Sequence, residues 1–202
     1  MSIAGLVLAA GASRRYGAPK LAEAIAGEPL VRRVVRSVSS AGLPAVVVTG
    51  PEAESVRKAL EGLEVAFVDN PDAAEGMASS IRSGVTALGA AVEAVVILPG
   101  DQPSTPADLI RELCRVYRDT GAPAVAPVYR GVQGPPVLFS RALFSELTAL
   151  RGDRGARVVL EAHADSAAFV AIDEPMPPDL DTPEDRIALE ALLLPPSGSG
   201  SP

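Results

Sequence analysis

The sequence is short of several residue types that define whole classes of protein. It contains no tryptophan, 3% aromatic residues, one histidine and one cysteine. So few aromatic side chains argue against the base-stacking platforms of proteins that bind single-stranded nucleic acid. A lone cysteine excludes an intramolecular disulfide and a cysteine metal cluster. Cys114 has apolar neighbours at helical spacing and is predicted to lie in the core, whereas His163, in a polar stretch, is predicted at the surface.

Positive charge is scarce as well. Lysine and arginine number 18 against 25 aspartates and glutamates, which gives a formal net charge of −7 and a pI of about 4.8. A protein that tracks nucleic-acid phosphates is therefore not expected, and the cations have to act locally. Apolar runs stop short of membrane-spanning length, and the N-terminal stretch lacks the pattern of a signal peptide. We predict a cytoplasmic protein that has neither a nucleic acid nor a membrane as partner.

The composition that remains favours one α/β domain. A chain of 202 residues with 48% hydrophobic content can bury one core, which we predict over residues 1–194. Residues 195–202, PPSGSGSP, are predicted to be a disordered tail. Buried strands alternate with amphipathic helices, which predicts a mostly parallel sheet with ligands bound beyond the carboxyl ends of its strands. The predicted strands are 6–10, 45–49, 65–68, 94–98, 122–127, 135–139 and 167–172. The predicted helices are 29–41, 52–63, one that opens around Ser79 and Ser80 and runs to about residue 88, 106–119, 141–150 and one that starts at 182–183.

The loop after the first predicted strand has the composition of a phosphate cradle. Small residues let backbone N–H groups approach an anion closely, and three cations follow in the same turn. The small residues are Gly11, Ala12, Ser13 and Gly17, and the cations are Arg14, Arg15 and Lys20. The spacing matches neither the GxxxxGK[ST] motif nor the GxGxxG motif. An ordinary loop with solvated cations is the alternative.

Two further strands end in polar residues at the same predicted edge. Asn70 follows the third strand, and Ser79 and Ser80 open the next helix, where they could read a base and a ribose or could serve only as a turn and a cap. Asp101 follows the most hydrophobic strand and is placed to bind a hard cation through oxygen. Its alternative is a turn or a helix cap.

Two charged segments lie near the C-terminal end. Residues 151–157, RGDRGAR, could hold a second phosphate, that of an acceptor, or could form an exposed charged loop. Asp179 and Asp181 precede Thr182 and Pro183, whose residue types begin a helix. These acids either complete a metal site or only cap that helix.

Four separated segments, in this order, carry a resemblance to a known family. They are LAAGASRRYGAPK at 8–20, GMASSI at 76–81, LPGDQP at 98–103 and DLDTPED at 179–185. Together they resemble the MobA-like nucleotidyltransferases, with Tyr16 in the place of the usual methionine. GMASSI, the GDRGAR run and DLDTPED are most similar to the molybdenum cofactor cytidylyltransferases. The resemblance extends from residue 6 to about residue 192.

The resemblance implies a fold, a reaction and a set of site residues. The fold is a three-layer α/β/α sandwich of the nucleotide-diphospho-sugar transferase type, which is Rossmann-like. The reaction transfers a nucleoside monophosphate from a triphosphate to a phosphate acceptor, with Mg²⁺ and release of pyrophosphate. The implied catalytic residues are Arg15, Lys20 and Asp101, the metal ligands Asp101 and Asp181 with Asp179 as the other candidate, and the nucleotide contacts Leu8, Ala9, Ala10, Gly11, Ala12, Ser13, Asn70, Gly76, Met77 and Ser80.

The acceptor is the least determined part of the prediction. The resemblance implies CTP, or GTP, as donor, molybdopterin as acceptor and a molybdenum hydroxylase as the destination of the product. Pro135 stands where relatives that use molybdopterin commonly have His or Asn after a glycine. A sugar phosphate or another small phosphate is therefore an alternative acceptor. A third hypothesis is a molybdenum cofactor accessory protein without catalysis, or an NAD(P)H-using oxidoreductase on the same fold.

Overall fold

A computed structural model describes residues 2–11, 19–178, 180 and 183–193. Strands and helices alternate along most of this length, as the apolar pattern predicts. The strands are β1 Ser2–Ala9, β2 Ala24–Ile25, β3 Glu28–Pro29, β4 Ala45–Thr49, β5 Val65–Asp69, β6 Val92–Pro99, β7 Ala124–Tyr129, β8 Val132–Gln133, β9 Val137–Ser140 and β10 Ala168–Ile172. The α-helices are α1 Leu30–Ser40, α2 Ala53–Ala59, α3 Met77–Ala87, α4 Ala107–Thr120, α5 Phe144–Ala149, α6 Arg157–Ala162 and α7 Pro183–Leu193.

The main sheet of the described residues has eight strands. Its order is β10-β7-β9-β6-β1-β4-β5, with β8 paired to β7. β8 and β9 run antiparallel to their neighbours, and the other strand pairs are parallel. The parallel strands therefore present their carboxyl ends at one edge of the sheet, and β9 enters the sheet from that same edge.

Helices cover both faces of the central strands. Ile3 and Val7 of β1 pack in a cluster with side chains of α1, α2 and α4. Leu6 and Ala10, of opposite parity, pack with side chains of α3, α5 and α6. Because successive side chains of a strand point to opposite faces, burial of both parities requires a layer on each side. This three-layer α/β/α arrangement with a mostly parallel sheet confirms the predicted fold.

Single residues predicted from composition take the expected positions. Cys114 is buried in the core on α4, and burial raises the pKa of its thiol. His163 lies at the end of α6 with Nε2 2.9 Å from a carboxylate oxygen of Glu146. The short hairpin of β2 and β3 was not predicted, since two-residue strands leave no periodic pattern. Within the described residues, no helix combines the length and apolarity needed to cross a bilayer.

Gly84 provides a test of this packing. A Cβ atom at Gly84 of α3 would lie 2.5 Å from Leu6 Cδ1 and 2.8 Å from Val48 Cγ2, so α3 can approach the sheet only because this side chain is absent. We expect Gly84→Ala to lower the free energy of unfolding by about 1–3 kcal/mol, because overpacking outweighs the gain in helix propensity. Urea denaturation measures the change. Gly89→Ala is the control, since a Cβ there meets nothing within 4 Å, and an equal effect at both positions would contradict the interpretation.

Candidate functional site

Four adjacent parallel strands end at one edge of the sheet, where three of the predicted site residues lie. In the order β6, β1, β4 and β5, the residues that follow the strand ends are Asp101, Gly11, Gly50 and Asn70. β6 and β5 are three strand spacings apart, which places the two ends of this row roughly 14 Å from each other. The edge can thus span an extended ligand, with Asp101 at one end and Asn70 at the other.

Glycines bring the strand ends into close contact. The Gly100 N–H donates to the Leu8 carbonyl over 3.0 Å, and a Cβ at Gly100 would lie 2.8 Å from that oxygen. A Cβ at Gly50 would lie 2.6 Å from the Ala10 carbonyl oxygen. Larger side chains would separate these strand ends. Gly100 therefore fixes Asp101 next to the start of the loop that begins at Gly11.

Lys20 joins three parts of the chain at the Asp101 end of this edge. Its Nζ atom lies 2.8 Å from Asp101 Oδ2 and 2.7 Å from the Leu180 carbonyl oxygen. The Leu180 N–H in turn donates to the Asp101 carbonyl over 3.4 Å. The Lys20 side chain is 14% exposed, which strengthens its interaction with the carboxylate relative to a pair in water.

A small apolar cluster holds Leu180 in this place. Leu180 is fully buried with Ile25 of the β2–β3 hairpin, Leu30 at the start of α1 and Leu189 of α7. Burying a leucine of this kind stabilises its position by about 1.5–3 kcal/mol. Leu180 is thereby fixed against the Asp101 turn.

The donor set at Lys20 suits a hard cation. Two oxygen atoms, a carboxylate of Asp101 and the carbonyl of Leu180, converge on one positive charge. Carboxylate and carbonyl oxygens are the ligands that Mg²⁺ and similar ions prefer. No group of three or more His, Cys, Asp or Glu side chains that could hold a metal occurs within the described ranges. Asp179 and Asp181, the predicted second ligands, lie outside them.

Most of the predicted phosphate cradle also lies outside the residues that the structure describes. Leu8, Ala9, Ala10 and Gly11 are described and lead from β1 to the sheet edge. Lys20 is described at the far end of the loop. The intervening positions, for which the structure gives no geometry, include Ala12, Ser13, Arg14, Arg15 and Tyr16.

Asn70 is buried, and its amide is fully engaged inside the protein. Nδ2 donates to Ser79 Oγ over 2.8 Å and to Ser80 Oγ over 3.1 Å. Oδ1 accepts from the Asp72 N–H over 3.0 Å and from Ser83 Oγ over 3.3 Å. A carboxamide offers two donors and two acceptor lone pairs, so these four bonds use its capacity. The network favours the alternative in which Asn70 and the serines order the turn into α3.

The RGDRGAR run packs against the beginning of α3. The Ala78 N–H donates to the Gly152 carbonyl over 3.1 Å. Gly76 has φ of 101° and lies against Gly152 and Asp153. The run, which was predicted to hold a second phosphate, contains three arginines, and the Arg157 Nε atom donates to Glu161 Oε1 over 2.7 Å. The Arg151 guanidinium donates to the carbonyls of Thr148 and Leu150, and Arg154 lines an open depression between α5 and α6.

The hairpin of β7 and β8 lies on the side of β6 opposite β1, and β9 separates it from β6. Tyr129 is buried, which raises its pKa to about 12, and its hydroxyl donates to the Pro135 carbonyl over 2.9 Å. The Arg130 Nε atom donates to the Asp173 carbonyl over 2.6 Å. Residues 173–178 therefore run along this hairpin before Leu180 reaches the Asp101 turn.

Three contributors to the site were absent from the sequence prediction. They are the carbonyl of Leu180 and the two glycines at which strand ends touch, Gly50 and Gly100. Their roles depend on backbone atoms, which carry no residue-specific signal. The only available clue was that Gly50 and Gly100 follow buried strands.

Comparison with known proteins agrees with this geometry. The MobA-like NTP transferase domain matches residues 5–167. The chain is 31% identical over 195 residues to the purine catabolism protein PucB of Bacillus subtilis, covering 90% of this chain and 92% of that protein. It is 31% identical over 196 residues to the molybdenum cofactor guanylyltransferase of Rhodobacter capsulatus, covering 96% and 97%.

Among solved structures, a manganese complex of Rv0371c from Mycobacterium tuberculosis H37Rv has a similar fold. It superposes with a TM-score of 0.82 and 26% identity, over 95% of this chain and 99% of that one. The region that matches the family, residues 5–167, contains three of the four motifs. These motifs meet at the carboxyl edge of the sheet. The chain therefore belongs to the family of MobA-like NTP transferase domains, which are nucleotidyltransferases.

Proposed function

We propose that this protein transfers a nucleoside monophosphate from CTP, or from GTP, to molybdopterin and releases pyrophosphate in a Mg²⁺-dependent reaction. The observation that carries the proposal is the convergence of the Lys20 ammonium, the Asp101 carboxylate and the Leu180 carbonyl beside the loop that starts at Gly11. A cation and oxygen ligands of this kind suit a triphosphate accompanied by a divalent ion.

The chemistry requires alignment and charge compensation more than covalent participation. A phosphate oxygen of the acceptor forms a bond to the α-phosphorus, and the bond from that phosphorus to the bridging oxygen of the β-phosphate breaks. The electron pair of the broken bond leaves with pyrophosphate. Lys20 would neutralise phosphate charge, and the Gly11 backbone would hold the triphosphate in place. Arg15, Ala12 and Ser13 are proposed for the same task.

Asp101, with Asp181 or Asp179, would hold the divalent ion. Bound there, the ion would offset the negative charge that builds up on the phosphates. Leu180 supports this assignment, because it is the chain neighbour of both candidate aspartates and its backbone contacts Asp101 and Lys20. The manganese complex of the structurally similar Rv0371c is consistent with a divalent ion on this fold.

The proposal also specifies the base of the nucleotide donor and the chemical class of the acceptor. The GMASSI, GDRGAR and DLDTPED segments favour CTP, whereas one of the relatives that match nearly the whole chain is a guanylyltransferase. The same relative supports molybdopterin as the acceptor, and a molybdenum hydroxylase would then receive the product. Pro135 offers no polar side chain, and its carbonyl already accepts from Tyr129, which favours a small phosphate as the second candidate acceptor.

Pyrophosphate release tests the proposal directly. We expect purified protein with Mg²⁺ to release pyrophosphate from CTP or GTP only when molybdopterin is present, and to form the corresponding dinucleotide, detected by mass spectrometry. EDTA should abolish release. Sugar phosphates in place of molybdopterin test the second acceptor class. Absence of pyrophosphate with all four triphosphates and every acceptor, or NAD(P)H binding tighter than that of CTP, would overturn the transferase assignment.

A further inference from the structure

Asp153 lies beside Gly76, and its carboxylate has no hydrogen-bond or ion-pair partner among the described residues. Oδ1 lies so close to Gly76 that a Cβ added there would be 2.2 Å from it. The residue is exposed, and within the described part of the chain this carboxylate has neither a hydrogen bond nor an ion pair, although arginines flank it at positions 151 and 154. A negative charge is thus held at the start of α3 without being neutralised there.

The backbone around Asp153 is fixed on both sides. The Gly152 carbonyl accepts the Ala78 N–H over 3.1 Å, and a Cβ at Gly155 would lie 3.0 Å from the Met77 sulfur. Arg82 of α3 adds a third contact, since it donates to the Leu150 carbonyl over 3.2 Å. Asp153 therefore belongs to the same surface as Gly76 and Met77, two of the predicted nucleotide contacts.

Asn70 and Ser79, two of the polar residues first predicted to read the base, are engaged with neighbouring protein groups, and Ser80 Oγ accepts from Asn70 Nδ2. The Asn70 amide uses both donors and both acceptor positions in hydrogen bonds to neighbouring residues. Ser79 Oγ donates to the Gly76 carbonyl over 2.8 Å. A base at this end of the edge still needs a partner for its polar groups, because an unpaired polar group buried on binding costs affinity. Asp153 supplies a free acceptor at this place.

We infer that Asp153 determines base selectivity by accepting a hydrogen bond from an exocyclic amino group of the nucleotide base, with cytosine N4 as the favoured donor. A carboxylate is an acceptor only, and it pairs with the cytosine amino group in other recognition contexts. Uracil carries an oxygen at the same ring position, and this oxygen has no hydrogen to donate to the carboxylate. This inference rests on the proposed nucleotidyl transfer and assigns the RGDRGAR loop to the nucleotide rather than to the acceptor.

Matched nucleotide pairs test the inference. CTP and UTP differ at the 4-position of the base, and GTP and ITP differ in the guanine 2-amino group. We expect the wild-type protein to prefer the amino-bearing member of at least one pair by tenfold or more in kcat/KM. Asp153→Asn and Asp153→Ala should reduce that ratio at least tenfold, with the KM for the acceptor unchanged. Asp165→Asn, at an exposed aspartate beyond α6, is the control and should leave the ratio unchanged.

The outcomes separate this inference from the proposed function. If wild-type protein transfers nucleotide but Asp153→Asn keeps the full preference, or alters only the acceptor KM, then Asp153 does not read the base. A loss of thermal stability in Asp153→Asn with an unchanged preference assigns it to capping α3. If no transfer is detected at all, equilibrium binding of CTP and UTP in the presence of Mn²⁺ gives the same comparison without turnover, and equal affinities in the wild type would overturn the inference.

Discussion

Replacing Asp101 by asparagine is expected to lower kcat/KM for nucleotidyl transfer by roughly 10³-fold or more, with the fold intact. The carboxylate stands at the end of β6 and, with the Leu180 carbonyl, is one of two described oxygens that converge on the Lys20 charge. Asparagine keeps the size of the side chain but loses the negative charge that a divalent ion and its phosphates require. Lys20 keeps the Leu180 carbonyl as an acceptor, so the free energy of unfolding should change by no more than about 1 kcal/mol.

Three measurements separate the chemical effect from a structural one. Pyrophosphate release gives the rate, binding of Mn²⁺ followed by electron paramagnetic resonance gives the metal affinity, and circular dichroism gives the melting temperature. Asp108→Asn is the control, since Asp108 is an exposed carboxylate that pairs with Arg111 on α4. If the Asp101→Asn protein kept a tenth of the wild-type rate, the assignment of Asp101 as a metal ligand would be wrong.

The central strands were predictable because their chemistry is local. Ala45–Thr49 and Val92–Pro99 are short, apolar and buried on both faces, so the sequence shows them as runs without alternation. Parallel pairing then follows from the intervening helices, and the position of Asp101 at the carboxyl edge follows from parallel pairing. This chain of inference required no contact between distant residues.

The details that the sequence could not provide depend on contacts between distant residues. Lys20 meets Asp101 and Leu180 across separations of 81 and 160 residues. The engagement of Asn70 and the contact of Asp153 with Gly76 likewise depend on how α3 meets the turn before it and the loop after α5. A polar residue at a strand end looks the same in sequence whether its hydrogen bonds are free or satisfied within the protein. The prediction for Asn70 left both alternatives open for this reason.

The Lys20–Asp101 pair leads to a second prediction, in which a substitution of Lys20 lowers kcat/KM but raises the affinity for Mn²⁺. The ammonium of Lys20 and a divalent ion would compete for the same two oxygen atoms, Asp101 Oδ2 and the Leu180 carbonyl oxygen. Before the nucleotide binds, Lys20 therefore opposes metal binding. Once a triphosphate is present, Lys20 has phosphate oxygens as alternative partners, and its charge favours the reaction.

We accordingly expect Lys20→Met to lower kcat/KM by roughly 10²–10³-fold while Mn²⁺, in the absence of nucleotide, binds more tightly. Methionine has a similar length and no charge, so it frees both oxygens. The gain in Mn²⁺ affinity should be about three- to tenfold, the equivalent of about 1 kcal/mol for a partly exposed pair. Lys58→Met, on the exposed side of α2, should change neither quantity. Weaker Mn²⁺ binding by Lys20→Met would show that Lys20 organises the metal ligands instead of competing for them, since removal of a competitor can only increase the affinity.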